Sequence, residues 1–272
     1  MKKKVLTIIS IVVLSFSLLA LLFPLISNLI YRGNTNSIVN KFDTKDNIIV
    51  DIKGEDDKSL TLDEAIKQKK SDDKGYLLDK SGDRVSDTPV IFKVELDRLY
   101  KDSLDYNNDL VVSQRSKLLK TENYRDSALV LSDYGIFDGV YGYISAEKID
   151  MKLPILLGAT KDNMAIGAAH LNNTSLPIGG KNTNCVLAGH TGYIGRTFFD
   201  NLPELEKGDK ITIKTYFNTL TYEVVKSTIK KPKDSNLIFI EEGKDMLTLL
   251  TCTPGDDGTF DRYCLICERA DK

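Results

Sequence analysis

Residues 210–231 read KITIKTYFNTLTYEVVKSTIKK, and this stretch decides the fold class of the chain. Apolar and polar side chains alternate along it on both sides of Phe217-Asn218. Successive side chains of a β-strand point to opposite faces, so the alternation predicts two antiparallel strands joined by a tight turn. We therefore expect a β-hairpin at this point of the chain.

The sequence on either side of this hairpin contains further strand candidates. They are YGYISAEKIDMKLPILLG over 141–158, which forms two strands around a polar turn, NCVLAGH over 184–190, MLTLLTC over 246–252 and RYCLIC over 262–267. Residues 197–205 (TFFDNLPEL) predict one or two helical turns. Roughly seven short strands with few helices predict a mainly β domain, either an antiparallel barrel or a sandwich.

The segment before these strands is expected to be helical. Apolar residues recur at near-helical spacing over Phe92–Leu110, which predicts an amphipathic helix. Residues 111–138 predict a second helix or a loop. Residues 32–90 are polar and uneven, with a strand candidate at Asn47–Ile52 and the capping-box spacing Thr61-x-x-Glu64 at the start of a short helix.

The N-terminus predicts a membrane anchor. Residues Val5–Tyr31 carry no charge, and about 20 apolar residues are enough for a helix to span a bilayer. Lys2–Lys4 precede this run, and positive residues stay on the cytoplasmic side, so the expected topology is N-terminus inside and C-terminus outside. A cleaved signal peptide is the alternative, although its apolar core would be about 7–15 residues long.

These segments divide the chain into four expected parts. They are a cytoplasmic basic tail at 1–4, a transmembrane anchor at 5–31, a membrane-proximal stalk with a small insertion and N-terminal helices at 32–138, and a catalytic β-domain at 139–272. The expected location is the cell membrane, with a single pass and the β-domain outside the cell.

Composition excludes several classes of protein. The formal net charge of −2 is unsuited to non-specific nucleic-acid binding, which depends on clustered cations. A hydrophobic content of 42% is too high for a disordered chain. The four cysteines all lie at or after Cys185, which excludes a small disulfide scaffold, and two histidines leave little room for a His-rich metal site. We expect no metal and no cofactor.

The cysteines near the C-terminus are expected to have a structural role. Cys264 and Cys267 are three residues apart in a strand, so they point to opposite faces and cannot easily bridge each other or share a metal. We interpret them as small buried apolar residues.

Three residues at strand ends suggest nucleophilic chemistry. His190 follows an apolar strand and lies between glycines, Cys252 ends another strand, and Arg262 begins the next. A thiolate can act as nucleophile, an imidazole can move the proton, and a guanidinium can donate to a developing oxyanion. Each residue also has an ordinary structural interpretation, as a core cysteine, a turn histidine or a solvated arginine.

The pattern around these three residues resembles the sortases, the cysteine transpeptidases of Gram-positive cell surfaces. Thr248-Leu249-Leu250-Thr251-Cys252 matches the family's Thr-Leu-x-Thr-Cys, His190 precedes Cys252 by 62 residues, and Arg262 lies on the strand after it. The similarity is greatest to class C, the pilin type. It implies a closed antiparallel or mixed β-barrel with short helices, preceded by N-terminal helices and a transmembrane helix.

The sequence also departs from the class C pattern. The lid expected near 111–127 lacks the Asp-Pro-aromatic motif, and the loop after Pro254 (GDDGTFDR, 255–262) is acidic and one residue longer than usual. The longer loop leaves Arg269 as a second candidate for the essential arginine. His170 is a second candidate histidine, although class C sequences can carry a non-catalytic histidine upstream of the Thr-Ser-Leu-Pro segment.

The resemblance implies a reaction and its participants. Cys252 would cleave a Leu-Pro-x-Thr-Gly-like sorting signal between Thr and Gly, His190 would act as general acid and base, and Arg262 would orient the signal and stabilise the oxyanion. Thr251 would contribute a substrate-binding group nearby. The partners would be surface or pilin proteins that carry the signal, together with an amine acceptor, which is a pilin Lys or a peptidoglycan precursor.

Other functions remain open from the sequence. A housekeeping-type sortase would attach surface proteins to peptidoglycan without polymerising pilins. A thiol protease would use water as the acceptor. A non-catalytic surface-binding domain would show no thiol-dependent turnover.

Overall fold

The computed structural model describes residues 2–45, 48–119, 125–232, 238–256 and 258–270. The chain begins with one continuous helix, α1 (Lys2–Asp43), which contains the whole of the predicted anchor. Within the described ranges, α1 is the one helix long and apolar enough to cross a membrane, and its most apolar part is not buried by the rest of the chain.

The C-terminal part of α1 packs against the β-domain. Tyr31, Thr35, Val39 and Phe42 are buried and recur at the spacing of one helix face. At the end of the helix, the Asp43 carboxylate accepts a hydrogen bond from the Lys214 ammonium at 2.8 Å. Residues 32–43, where we expected the stalk to begin, therefore continue the helix. The domain boundaries given above stay a prediction.

A small substructure follows α1 in the chain and precedes the barrel. It consists of β1 (Ile49–Val50), α2 (Leu62–Lys67) and β2 (Ile91–Phe92), and the two strands pair in parallel. The capping box predicted at the start of α2 is present, with the Thr61 and Glu64 side chains each bonded to the other's backbone N–H. The strand predicted over 47–52 is only two residues long, and Asn47 lies outside the described residues.

The helix predicted at Phe92–Leu110 is longer than its apolar pattern indicated. It forms α3 (Lys93–Leu119), so the prediction of a second helix or a loop over 111–138 was wrong for residues 111–119. Polar contacts fix these last turns: the Gln114 side chain donates to Ile238 O at 3.2 Å and accepts from Ile240 N at 2.7 Å. Hydrophobic periodicity does not detect such contacts. Residues 120–124 of the expected lid stretch lie outside the described residues.

The second half of the chain forms a closed barrel of eight strands. The strands are β3 (Val140–Ala146), β4 (Met151–Leu157), β5 (Ala168–His170), β6 (Thr183–Ala188), β7 (Lys210–Thr215), β8 (Thr219–Lys230), β9 (Asp245–Pro254) and β10 (Phe260–Arg269). A one-turn helix, α4 (Lys161–Met164), precedes β5.

The order of the strands around the barrel is β10-β8-β7-β3-β4-β5-β6-β9, and pairing between β9 and β10 closes it. The β4–β5 and β6–β9 pairs are parallel, and the others are antiparallel. The predicted mixed β-barrel is therefore confirmed, and the sandwich alternative is not. The hairpin predicted over 210–231 consists of β7 and β8, which pair in register around Phe217-Asn218.

Two local features of the barrel differ from the sequence expectations. β5 was not predicted, because Ala168-Ala169-His170 is too short to show any periodicity. Of the one or two helical turns expected over 197–205, the structure forms a single 3₁₀ turn at Leu202–Glu204.

The barrel interior is apolar and includes two of the cysteines, Cys185 and Cys267. Cys267 and Leu265 belong to the main core cluster, whereas Cys264 is buried outside it, as expected for side chains three residues apart in a strand. All four cysteines are free. Burial raises the pKa of Cys264 to about 11 and that of Cys267 to about 12, and it raises the pKa of Cys185 well above its ordinary value. These three thiols stay protonated at neutral pH.

Candidate active site

Strand register brings two of the predicted site residues face to face. Cys252 on β9 pairs with Arg262 on β10 in the antiparallel ladder. A guanidinium N–H of Arg262 donates to the Cys252 sulfur, with Nη1 and Sγ 3.4 Å apart. Cys252 is partly exposed, unlike the other three cysteines. A thiol that solvent can reach therefore lies beside a permanent cation.

His190 lies at the same level of the barrel. β6 runs parallel to β9 with Ala188 opposite Leu250, and the ladder continues where Gly189 N donates to Leu250 O at 3.1 Å. His190 lies two residues after Ala188, and Cys252 lies two residues after Leu250. The three predicted residues therefore align across β6, β9 and β10, in the order His190, Cys252, Arg262.

Thr251 joins the two segments that carry the histidine and the cysteine. Its hydroxyl donates to the Gly189 carbonyl at 2.7 Å, and the residue is buried. Gly189 itself leaves no room for a side chain, since an added Cβ would lie 2.7 Å from the Phe199 ring. The backbone before His190 is thus fixed from both sides.

Aromatic rings enclose one side of the imidazole. The His190 ring lies 5.4 Å from the Tyr193 ring and 5.9 Å from the Phe198 ring, measured between centroids. Burial lowers the pKa of His190 below its ordinary value, and the negative charge of Asp200 partly opposes this shift. The imidazole is therefore neutral at neutral pH.

Asp200 also organises the loop that follows the histidine. Its carboxylate accepts hydrogen bonds from Gly192 N at 2.7 Å and from Phe198 N at 2.9 Å. The loop of residues 191–198, here called the His190 loop, is therefore closed on itself by one acidic side chain. That side chain is also the charge that acts on the imidazole.

Comparison with known proteins agrees with this geometry. The model of the Sortase domain matches residues 144–270. Clostridium perfringens sortase C, solved with the C-terminal cell wall sorting motif, is 33% identical to this chain; the alignment covers 66% of this chain and 91% of that one, with a TM-score of 0.55. The chain belongs to the sortase family.

Other sortases share this similarity. Streptococcus agalactiae sortase C1, solved in complex with MTSET, is 26% identical, with a TM-score of 0.57 over 65% of this chain and 90% of that one. Sortase D of Bacillus subtilis is 34% identical over 42% of this chain and 54% of its own length. The chain thus spans about half the length of the curated relatives it matches. The solved structures it resembles are class C sortases.

The second candidate histidine of this sortase has a different environment. His170 is fully buried, and its Nε2 lies 3.1 Å from Thr174 O and 3.0 Å from Ser175 O. Burial lowers its pKa to about 4. In the ladder it pairs with Leu187, three residues before His190. The structure places it in the core, where it holds a turn.

The second candidate arginine lies at the other end of β10. Arg269 Nη1 is 3.6 Å from a carboxylate oxygen of Asp245, the first residue of β9, and its guanidinium lies over the Tyr222 ring. Seven residues separate Arg269 from Arg262, which is about 23 Å along a strand. Arg262 is therefore the arginine that the fold brings to Cys252.

Several residues of the site could not be predicted from the sequence. Asp200 lies in the stretch 197–205, for which the sequence predicted only helical turns, and nothing in the pattern assigned it to the histidine. Tyr193 and Phe198 were missed because ring contacts with His190 depend on how the loop folds back. Among the described residues, no group of three or more His, Cys, Asp or Glu side chains could hold a metal ion.

Proposed function

We propose that this sortase is a membrane-anchored cysteine transpeptidase that cleaves a Leu-Pro-x-Thr-Gly-like sorting signal between Thr and Gly. The observation that carries the proposal is the 3.4 Å contact between Arg262 Nη1 and Cys252 Sγ, with His190 at the same level of the barrel. A cysteine, a histidine and an arginine in a row form the groups needed for acyl transfer through a thioester.

The first half of the reaction forms the thioester. Cys252 Sγ, having given its proton to His190, attacks the carbonyl carbon of the signal's Thr. The tetrahedral intermediate carries a negative oxygen, which the Arg262 guanidinium stabilises. The peptide C–N bond then breaks, and His190 gives its proton to the departing Gly amine.

The second half transfers the acyl group to an amine. The incoming amine attacks the thioester carbonyl and passes a proton to His190. The C–S bond breaks and the new amide is released, and proton return from His190 regenerates the Cys252 thiol. Because the pKa of His190 lies below its ordinary value, the imidazolium form of His190 is a minor species at neutral pH.

For Thr251, we propose a role other than the substrate contact predicted from the sequence. Its hydroxyl proton is already donated to Gly189 O. We therefore assign it to positioning: it couples the backbone that carries His190 to the strand that carries Cys252.

For the acceptor, we propose a Lys side chain of a pilin, so that the reaction assembles a pilus. The similarity to class C structures supports this choice. The alternative is the attachment of surface proteins to peptidoglycan. It stays open because the curated relatives are named Sortase D and Sortase A and not sortase C. The two functions differ only in the amine that resolves the thioester.

We further propose that α1 anchors the enzyme in the cell membrane, with the basic N-terminus inside and the barrel outside. The apolar, unburied part of α1 supports this placement. Surface proteins that await sorting would be held in the same membrane, and tethering both partners raises their effective concentration.

The test uses the full-length chain in detergent with a Leu-Pro-x-Thr-Gly peptide and an added amine. We expect Cys252→Ala and His190→Ala to abolish cleavage, while Cys264→Ala serves as a control for loss of a thiol elsewhere. Mass spectrometry of the products separates the functions, since a transpeptidase gives the peptide–amine adduct and a thiol protease gives only the free acid. Retained cleavage by Cys252→Ala would refute the nucleophile assignment.

A second assay identifies the acceptor. The enzyme is incubated with signal-bearing protein and, in separate reactions, a pilin domain or a lipid-linked peptidoglycan precursor. A ladder of covalent pilin oligomers is expected. Exclusive joining to the precursor would support the wall-anchoring alternative, and an absence of any thiol-dependent turnover would support a binding domain.

A further inference from the structure

The His190 loop is bound to α1 at the end of the predicted membrane span. The Thr197 backbone N–H and hydroxyl both donate to Asn28 Oδ1, at 3.1 and 3.2 Å. Gly195 lies so close to α1 that an added Cβ would be 2.4 Å from Ser27 Oγ. The loop that carries the aromatic wall of His190 is therefore seated on the anchor helix.

The tip of this loop is apolar and exposed. The Ile194 side chain is 75% exposed, and that of its neighbour Tyr193 is 42% exposed. A single exposed apolar side chain is common on soluble proteins and needs no explanation. Here, however, the two residues are adjacent, and they directly precede the contact of Gly195 with the membrane helix.

The length of the anchor sets the height of the loop above the bilayer. From Val5, about 20 helical residues at 1.5 Å each cross a hydrocarbon layer of about 30 Å, which ends near Pro24. Ser27 and Asn28 lie one turn further on, in the headgroup layer. Tyr193 and Ile194 are thus held at the depth where aromatic and apolar side chains enter a membrane interface.

A cation accompanies this apolar tip. The Arg196 guanidinium lies 5.5 Å from the Tyr31 ring and 5.4 Å from the Tyr193 ring. One of its N–H groups donates to Ala165 O at 2.7 Å, and the remaining donors suit a lipid phosphate. An aromatic ring, an aliphatic side chain and an arginine are a typical set of residues at a membrane interface.

We propose that the His190 loop is a second membrane contact, in which Ile194 and Tyr193 insert into the outer interface of a phospholipid bilayer. The proposal rests on the proposed anchoring of α1. It places the candidate site close to the bilayer surface, because the Tyr193 ring that meets the lipid also contacts the His190 ring. The barrel would then have a fixed orientation on the membrane.

The absence of tryptophan from the sequence gives a direct test. Ile194→Trp introduces a single indole into the full-length chain, which is reconstituted into phosphatidylcholine–phosphatidylglycerol vesicles with or without brominated acyl chains. Val13→Trp is the positive control inside the anchor. Val112→Trp is the negative control, because Val112 is 86% exposed on α3 and lies far from the His190 loop. The nearby Gln114 bonds to Ile240, which precedes β9. This part of α3 is therefore at the end of the barrel opposite Cys252.

We expect brominated lipid to quench the fluorescence of Ile194→Trp several-fold more than that of Val112→Trp, with an emission maximum shifted to the blue. Equal quenching of these two variants, with Val13→Trp strongly quenched, would overturn the loop contact and leave the anchor intact. An unquenched Val13→Trp would overturn both. Peptide cleavage by the same preparations reports on the proposed enzymatic activity separately.

Discussion

Arg262 and Cys252 are direct partners in the ladder between β9 and β10, and the guanidinium donates to the sulfur across it at 3.4 Å. The contact depends on register, because a shift of one residue would turn the arginine to the other face of the barrel. Both strands are ten residues long, and their pairing is regular along its whole length. The position of the Arg262 guanidinium relative to the Cys252 thiol is thus a property of the barrel itself.

The first prediction concerns Arg262. Arg262→Ala removes the donors that we propose stabilise the oxyanion, so we expect kcat/KM for peptide cleavage to fall by about 10²–10³-fold. Arg262→Lys keeps the charge but not the rigid fork of donors, and we expect an intermediate loss. The control is Arg84→Lys, because Arg84 is an exposed arginine in the small substructure before the barrel. We expect this variant to keep full activity. Wild-type kinetics in Arg262→Ala would exclude the proposed role.

The second prediction concerns the charge next to the histidine. Asp200→Asn removes the charge that raises the pKa of His190, so the pKa falls further below its ordinary value. Less imidazolium is then available to pair with the thiolate. We expect kcat/KM to fall several-fold at neutral pH and the acidic limb of the pH–rate profile to move to lower pH.

The control for Asp200→Asn separates charge from loop geometry. Asp200→Glu keeps the charge, so it restores the position of the acidic limb even where its longer side chain alters the loop. An acidic limb that stays in place in Asp200→Asn would show that the carboxylate acts only through its hydrogen bonds to Gly192 and Phe198.

Seven of the eight barrel strands and the three central site residues could be predicted because their signals are local. Ile211, Ile213 and Leu220 alternate with polar residues, and burial of one face is all that such a pattern requires. His190 and Cys252 each end a short apolar run, so their positions in sequence already indicate the ends of strands. The resemblance to a known family then connected them.

The features that could not be predicted depend on contacts between distant segments. Thr197 and Asn28 are 169 residues apart, and neither belongs to a recognisable motif. Asp200 is one of 39 acidic residues, and its influence on His190 exists only because the loop folds back. The last turns of α3 are fixed by Gln114 through polar contacts that leave no periodic pattern.

The third prediction tests whether Thr251 positions the site. Thr251→Val leaves the Gly189 carbonyl without its donor, and we expect a destabilisation of about 1–3 kcal/mol together with a marked fall in kcat. Thr248→Val is the matched control, because Thr248 is buried on the same strand and donates to Asn184 Oδ1 at 3.0 Å. It should lose similar stability but retain its kcat. Equal losses of kcat in the two variants would indicate a general effect of destabilisation.

The last prediction concerns the stability of the fold in acid. Burial lowers the pKa of His170 to about 4, whereas an unfolded chain gives an ordinary value of about 6.5. Between these values the unfolded state binds more protons than the folded state, so the free energy of unfolding falls as the pH falls through this window. The loss attributable to His170 is on the order of 3 kcal/mol by pH 4, and it is absent above about pH 6.5.

His170→Gln keeps an N–H donor for the carbonyls of Thr174 and Ser175 and removes the titration. Its free energy of unfolding, measured with denaturant in detergent, should therefore depend less steeply on pH between 6.5 and 4 than that of the wild type. His190 is the other histidine of the chain, and its pKa is also lowered, so both proteins are compared in a His190→Gln background. The carboxylates titrate alike in both proteins, which leaves the difference in slope to His170. Parallel pH dependences would mean that His170 binds its proton equally well in the folded and the unfolded chain.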